Sequence, residues 1–146
     1  MKTVIFDIDG TLADIEHRRH YVTEGNSYWE KFNAEMGEDT PNSAVVSLYL
    51  TLWHCGNYNL EIVTGRNERF RALTEQWLVW NEIPFNRVTM RPDKDNRADH
   101  ILKVEILNSF LDEGQDILFA VDDRQQVVDM WRRNGITCLQ CDVGDF

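Results

Sequence analysis

The sequence predicts an α/β sandwich around a parallel sheet, and three observations carry that prediction. Five apolar runs are short and nearly continuous, as strands covered on both faces are. The segments between them place apolar residues at helical spacing, and strands alternating with helices build parallel sheets. The chain has 146 residues, 42% hydrophobic and 27% charged, which suits one domain with a real core and argues against disorder, collagen or a coiled coil.

The elements follow in order. Residues 3–8 form the first apolar run. Residues 13–41 then break the rhythm, being polar and aromatic, with a helix expected around residues 28–36. We read this stretch as an insertion, a small cap or flap over the active face; an ordinary long loop is the alternative, and long loops are uncommon in compact domains. Ser43–Cys55 is apolar nearly all round, which predicts a buried helix. A strand at residues 59–63 leads to the stripe Phe70, Leu73, Trp77 and Leu78, and a strand at 85–90 leads to Leu102, Ile106, Leu107, Phe110 and Leu111. After a strand at 116–121, Val127, Val128 and Trp131 mark a last helix, stopped by Gly135 before a strand at 136–141. Trp77, Trp80 and Trp131 sit on helical stripes and are expected in the core, whereas Tyr28 and Trp29 of the insertion could stack a nucleobase.

Charge narrows the function classes. Lys plus Arg is 15 and Asp plus Glu is 25, a net charge of −10, which disfavours holding a long duplex by bulk electrostatics. Residues 66–103 nonetheless carry eight basic and six acidic side chains, or +2, leaving −12 on the remainder. A phosphate-facing pocket inside an acidic shell suits a short substrate or a strand end. No apolar run approaches the roughly 20 residues that span a bilayer, and the N-terminus does not read as a signal peptide. With only Cys55, Cys138 and Cys141, the chain is expected in a reducing cytoplasm. Cys138 and Cys141 are three apart on a strand and so point to opposite faces, which opposes both chelation and a disulfide.

The chemistry collects at strand ends. The first strand runs into Asp7-Ile8-Asp9-Gly10-Thr11, two carboxylates two residues apart followed by a glycine that permits a tight turn. The second ends in Thr64-Gly65-Arg66 and the fourth in Asp122-Asp123, while Lys103 lies in the helix before that fourth strand. In open α/β sheets ligands bind at the carboxyl ends of strands. There Asp7, Asp9 and Asp122 offer hard oxygen ligands for Mg²⁺, Lys103 and the metal neutralise a phosphate, and Thr64 with backbone N–H groups holds its oxygens. One carboxylate is free to attack phosphorus while its neighbour handles the proton. Arg66 is expected on a phosphate or substrate, and Arg97 supports the site or pairs with Asp95 or Asp99. His17, Arg18, Arg19, His20 and Tyr21 either meet the leaving group or form a solvated charge run.

Asp-x-Asp-Gly-Thr, Thr-Gly-Arg, a lysine and Asp-Asp, in that order, resemble the four motifs of the haloacid dehalogenase (HAD) phosphatases. The stretches 95–106 and 121–133, with the closing Gly144-Asp145-Phe146, are similar to the 3′-phosphatase domain of phage polynucleotide kinase/phosphatase. The resemblance implies a three-layer Rossmann-like sandwich of residues 1–146 carrying the 13–41 insert. It implies Asp7 as nucleophile of an aspartyl-phosphate, Asp9 as proton donor and then base, and Thr64 and Lys103 as phosphoryl holders. Asp122 would bind Mg²⁺ directly, with Asp123 supporting the metal shell, and Gly10, Thr11, Gly65 and Arg66 would line the substrate side. The implied substrate is a 3′-phosphorylated nucleotide or oligonucleotide end; a 5′-nucleotidase or other small-molecule phosphatase is the alternative. No Gly-x-x-x-x-Gly-Lys-Ser/Thr occurs, so no kinase domain is expected in this chain. A phosphorylated receiver domain also uses an acidic pair, a threonine and a lysine, but there the acidic pair precedes the phosphorylated aspartate.

Overall fold

The structure, a computed structural model, describes residues 1–23 and 25–145; Phe146, quoted for the resemblance, lies outside the described residues. Along the chain come β1 (Lys2–Phe6), β2 (Ala13–Asp14), α1 (Glu16–Arg19), α2 (Trp29–Ala34), β3 (Thr40–Pro41), α3 (Ser43–Cys55), β4 (Tyr58–Asn67), α4 (Arg71–Trp80), β5 (Val88–Arg91), α5 (Asp99–Asp112), β6 (Asp116–Arg124), α6 (Gln125–Arg133) and β7 (Thr137–Gly144). Single 3₁₀ turns stand at Met36–Glu38 and Glu68–Phe70.

Five strands make one parallel sheet in the order β5-β4-β1-β6-β7, so β1 is central and both neighbours deliver their carboxyl ends to the same edge. Period-two alternation makes the sandwich. Val4 and Phe6 pack with α3 and α4 on one face, while Ile5 packs with α5 and α6 on the other. Cys138 belongs to the second of these clusters and Cys141 packs against the first, so the two thiols lie on opposite sides of β7.

Three apolar expectations are corrected. Helix α3 buries Val45, Val46 and Tyr49 but leaves Leu48 36% exposed, because a helix in an outer layer has protein on one side only. Leu111 is 48% exposed on α5 and Trp80 74% exposed at the end of α4, for the same reason. The strands also reach further than their apolar runs. β4 continues through Thr64-Gly65-Arg66 and β6 through Asp122-Asp123, with register shifts in both where they splay from their neighbours.

Residues 13–41 leave and rejoin the body at adjacent points, because β2 and β3 pair antiparallel through Ala13 with Pro41 and Asp14 with Thr40. Leu12, Ile15, Val22 and Phe32 anchor the excursion to the core on the α3–α4 side. Two short helices and a 3₁₀ turn lie along the described residues of this excursion, hereafter the flap. Among the described residues no helix is long and apolar enough to cross a membrane.

Candidate active site

Asp7 sits one residue beyond β1, with its N–H donating to the Val121 carbonyl at 3.1 Å. Its carboxylate is buried; Oδ1 accepts from Lys103 Nζ at 2.8 Å and Oδ2 accepts from the Thr11 hydroxyl at 3.0 Å. The turn that brings Thr11 back depends on Gly10 at φ +80°, where a Cβ would stand 2.0 Å from Asp123 Oδ2. Lys103 is 1% exposed and also donates to Asp122 Oδ2 at 3.1 Å, so one ammonium bridges the ends of β1 and β6. Burial alone would lower its proton affinity, but Asp122 and Asp7 outweigh burial and raise it, so Lys103 stays charged.

Asp7, Asp122 and Asp123 place one carboxylate oxygen each within 4.8 Å of one another, all buried. Three formal negative charges face Lys103, with Arg19 reaching only the edge of the cluster, 3.9 Å from Asp123. Burial and then Asp122 raise the Asp7 carboxyl well above the ordinary range, against the pull of Lys103. The same two causes push Asp123 up to about 7. Asp123 Oδ2 is buried without a hydrogen-bond partner, and the nearest guanidinium nitrogen, on Arg19, is 3.9 Å away. A buried carboxylate oxygen with no donor, beside two more carboxylates, is the donor set a hard divalent cation requires. The cluster could therefore hold a metal.

Asp9, expected among the metal ligands, does not join that cluster. Its carboxylate turns to the flap and accepts from Arg18 Nη2 at 2.6 Å and Arg66 Nη2 at 2.7 Å. Burial works against its charge, yet Arg66 and Arg18 outweigh burial and hold the carboxyl well below the usual range. The buried residue that fixes both guanidinia is Asp39, between the 3₁₀ turn and β3. It takes Arg18 Nε at 2.8 Å and Nη2 at 2.6 Å, and Arg66 Nη2 at 3.2 Å. His17 Nε2 lies 2.6 Å from its Oδ1, and its carbonyl accepts from the Trp77 indole at 2.7 Å. Arg18 is 0% exposed, so it stands outside any solvated charge run while His17 and His20 are exposed, and its guanidinium faces Asp9 and Asp39. Arg66, 3% exposed, is likewise part of this ion-pair web and also donates to Thr74. Asp39 carries no sequence signal: it is one more acid in a polar stretch.

The remaining predicted residues fall around this floor. Thr64 is 0% exposed, and its hydroxyl accepts from the Arg66 N–H at 3.1 Å. A Cβ at Gly65 would lie 2.5 Å from the Asp99 carboxylate, which pairs with Arg91 and, at 2.8 Å, with Arg124. Sequence reasoning assigns Arg91 and Arg124 no role and offers Asp99 only as a partner for Arg97. Arg19 reaches the Val143 carbonyl with one guanidinium nitrogen and Glu16 with the other. Arg97 is at the rim, with 45% of its side chain exposed, paired to Asp95 and Glu105 rather than Asp99. A cavity of about 800 Å³ opens over Asp7, Lys103 and Asp122, with α2 of the flap on one wall.

A parallel sheet with acidic strand ends, a bridging lysine and a flap after β1 defines the class of HAD-fold phosphatases. A HAD-like hydrolase from Streptococcus pneumoniae shares the fold, with a TM-score of 0.65 over 96% of this chain and 84% of its own at 16% identity. The particular family is narrower. The sequence model of the polynucleotide kinase PNKP phosphatase domain matches residues 1–146, and the chain belongs to that family. A chain in the structure of the Pnkp1/Rnl/Hen1 complex is 35% identical with a TM-score of 0.81, covering 99% of this chain and 47% of its own. A proposed bifunctional polynucleotide kinase/RNA ligase of Autographa californica nuclear polyhedrosis virus is 25% identical over 132 residues, 90% of this chain and 18% of that protein. The chain thus spans under half of the matched chain in that complex and under a fifth of the viral protein.

Proposed function

We propose that this domain is a Mg²⁺-dependent phosphomonoesterase that removes 3′-phosphates from nucleic-acid ends or 3′-nucleotides through an aspartyl-phosphate at Asp7. One observation carries the reading: a buried Asp7 carboxylate, oriented by Lys103 and Thr11, on the floor of a cavity that a small ester can enter. The 3′ preference rests on membership of the PNKP phosphatase family.

An Asp7 oxygen attacks phosphorus, and the bond from phosphorus to the ester oxygen breaks. The departing oxygen takes a proton from Asp9. Asp9, then ionised, takes a proton from water as that water attacks phosphorus, which frees the Asp7 carboxylate and inorganic phosphate. Arg18 and Arg66 hold Asp9 ionised in the structure described here. A phosphate dianion drawn into the site is a like charge that raises the proton affinity of Asp9, the direction a proton donor needs. Lys103 and the Thr64 hydroxyl hold phosphoryl oxygens. Asp7, Asp122 and Asp123 would hold the Mg²⁺, which would supply the positive charge a phosphate needs to approach three carboxylates.

Phosphate release is measured with Mg²⁺ from matched 3′- and 5′-phosphorylated oligonucleotides and from 3′- and 5′-mononucleotides, with Asp7→Asn as blank. A tenfold or greater preference for 3′-phosphates, about 1.4 kcal/mol of differential transition-state binding, is the expected result. A preference for 5′-mononucleotides would reassign the substrate, and full activity in Asp7→Asn would remove the covalent mechanism.

A further inference from the structure

Trp29 is not used by the chemistry, and its placement is unusual. It opens α2 of the flap and is 42% exposed, yet its ring is held in place. Phe32 meets it edge-on at 5.4 Å between centroids, and the Arg124 guanidinium lies 5.6 Å from its centroid. Arg124 is itself anchored on Asp99 at 2.8 Å. Trp29 lines the same cavity as Asp7 and Lys103. So does Phe70, from the 3₁₀ turn after β4, which is half-buried with the Arg69 guanidinium 5.0 Å from its centroid. Two aromatic rings, one from the flap and one from the body, thus reach one cavity whose floor bears the nucleophile.

An aromatic ring left partly wet costs burial free energy, and here it is fixed by neighbours instead of being tucked into the core. A guanidinium stands beside each ring, and both arginines, Arg69 and Arg124, line the same cavity. Aromatic faces beside cationic side chains are how proteins take unpaired bases without reading their sequence, because every base has a π-face. The cavity volume, about 800 Å³, lies within the range of small-molecule sites and exceeds what a bare phosphate needs.

We propose that Trp29 and Phe70 form a stacking clamp for the base of the phosphate-bearing terminal nucleotide, with Trp29 as the principal platform. The clamp rests on the nucleic-acid-end reading above and deepens it: the flap reads the presence of a base, not its identity. An end that is unpaired and able to insert its last base is the ligand, and a small alkyl phosphate is not.

The experiment compares a 3′-phosphorylated oligonucleotide with the same oligonucleotide whose terminal nucleotide is abasic, in wild type, W29A, W29L and W29F. The wild type is expected to favour the base-bearing end by about tenfold in kcat/KM, chiefly through KM. In W29A and W29L that ratio falls toward one; in W29F most of it returns. F70A reduces the ratio less. A ratio near one in the wild type, or a ratio unchanged in both W29A and W29L, overturns the clamp. Activity on p-nitrophenyl phosphate and on 3′-phosphates reports the phosphatase reading separately, so the clamp can fail while that reading stands. Fluorescence anisotropy of both oligonucleotides on Asp7→Asn protein decides the clamp even without turnover, since equal affinities would overturn it.

Discussion

Lys103→Met removes the buried cation that bridges Asp7 and Asp122 and keeps the aliphatic stem. The ammonium makes two charge-assisted hydrogen bonds, to Asp7 at 2.8 Å and Asp122 at 3.1 Å, each worth about 1.5–3 kcal/mol. Breaking a buried ion pair by deleting one partner costs about 3–5 kcal/mol, because the remaining charge is left uncompensated. The two routes agree near 4 kcal/mol. For 146 residues, at about 2.1 cal/mol/K per residue, the unfolding entropy is about 0.3 kcal/mol per kelvin, so Tm should fall by about 13 °C. The assay is thermal unfolding by near-ultraviolet circular dichroism in EDTA at pH 8 and pH 5. At pH 5 Asp7, stripped of its lysine, takes up a proton, since burial raises it even with the lysine present, and Asp123 beside it, pushed up to about 7, is protonated as well. The deficit should therefore shrink markedly at the lower pH, and Mg²⁺ at pH 8 should restore part of it. A fall under 3 °C at pH 8, or an equal fall at both pH values, would refute the charge argument and leave only lost packing.

Two further predictions concern the flap and the metal. Asp39→Ala strips the shared anion from Arg18 and Arg66, and the fold should lose about 3–5 kcal/mol, read as a lowered urea midpoint; a loss below 1 kcal/mol would mean the web is not structural. Asp123, pushed up to about 7, must shed a proton to bind metal, so Mg²⁺ affinity by calorimetry should climb between pH 6 and 7 and level off above pH 8. The sign of the linked stability follows: between the ordinary 3.8 and about 7 the folded metal-free chain binds more protons at Asp123 than the unfolded chain does, so this group makes the metal-free protein less stable as pH rises through that window. Saturating Mg²⁺ should offset that loss, and a Tm that is flat with pH in EDTA would contradict it.

Much of the site is local chemistry and therefore legible in the chain. Asp7 and Asp9 end an apolar strand where carboxylates have no structural reason to be, and Gly10 supplies the positive φ their turn needs. Thr64, Lys103 and Asp122 acquire meaning from order and spacing at strand ends. Arg18 and Arg66 were visible as charges, but their partners were not, since Arg18 meets Asp39 across 21 positions and Arg66 meets Asp9 across 57. Helix faces show the same limit: Ser43–Cys55 has too many apolar residues for periodicity to reveal which face is wet, and only its place in an outer layer decides that Leu48 is exposed.

By itself, then, the sequence determined the alternation of strands and helices and the residue types gathered at the carboxyl edge of the sheet, because period, turn chemistry and covalent spacing act within a few residues. Tertiary structure alone decided that Asp9 leaves the acidic cluster for two arginines, that Asp39 organises them, and that Trp29 stands over the cavity. Those outcomes depend on which way the flap closes over the sheet, and burial and ion pairing between distant segments set that closure.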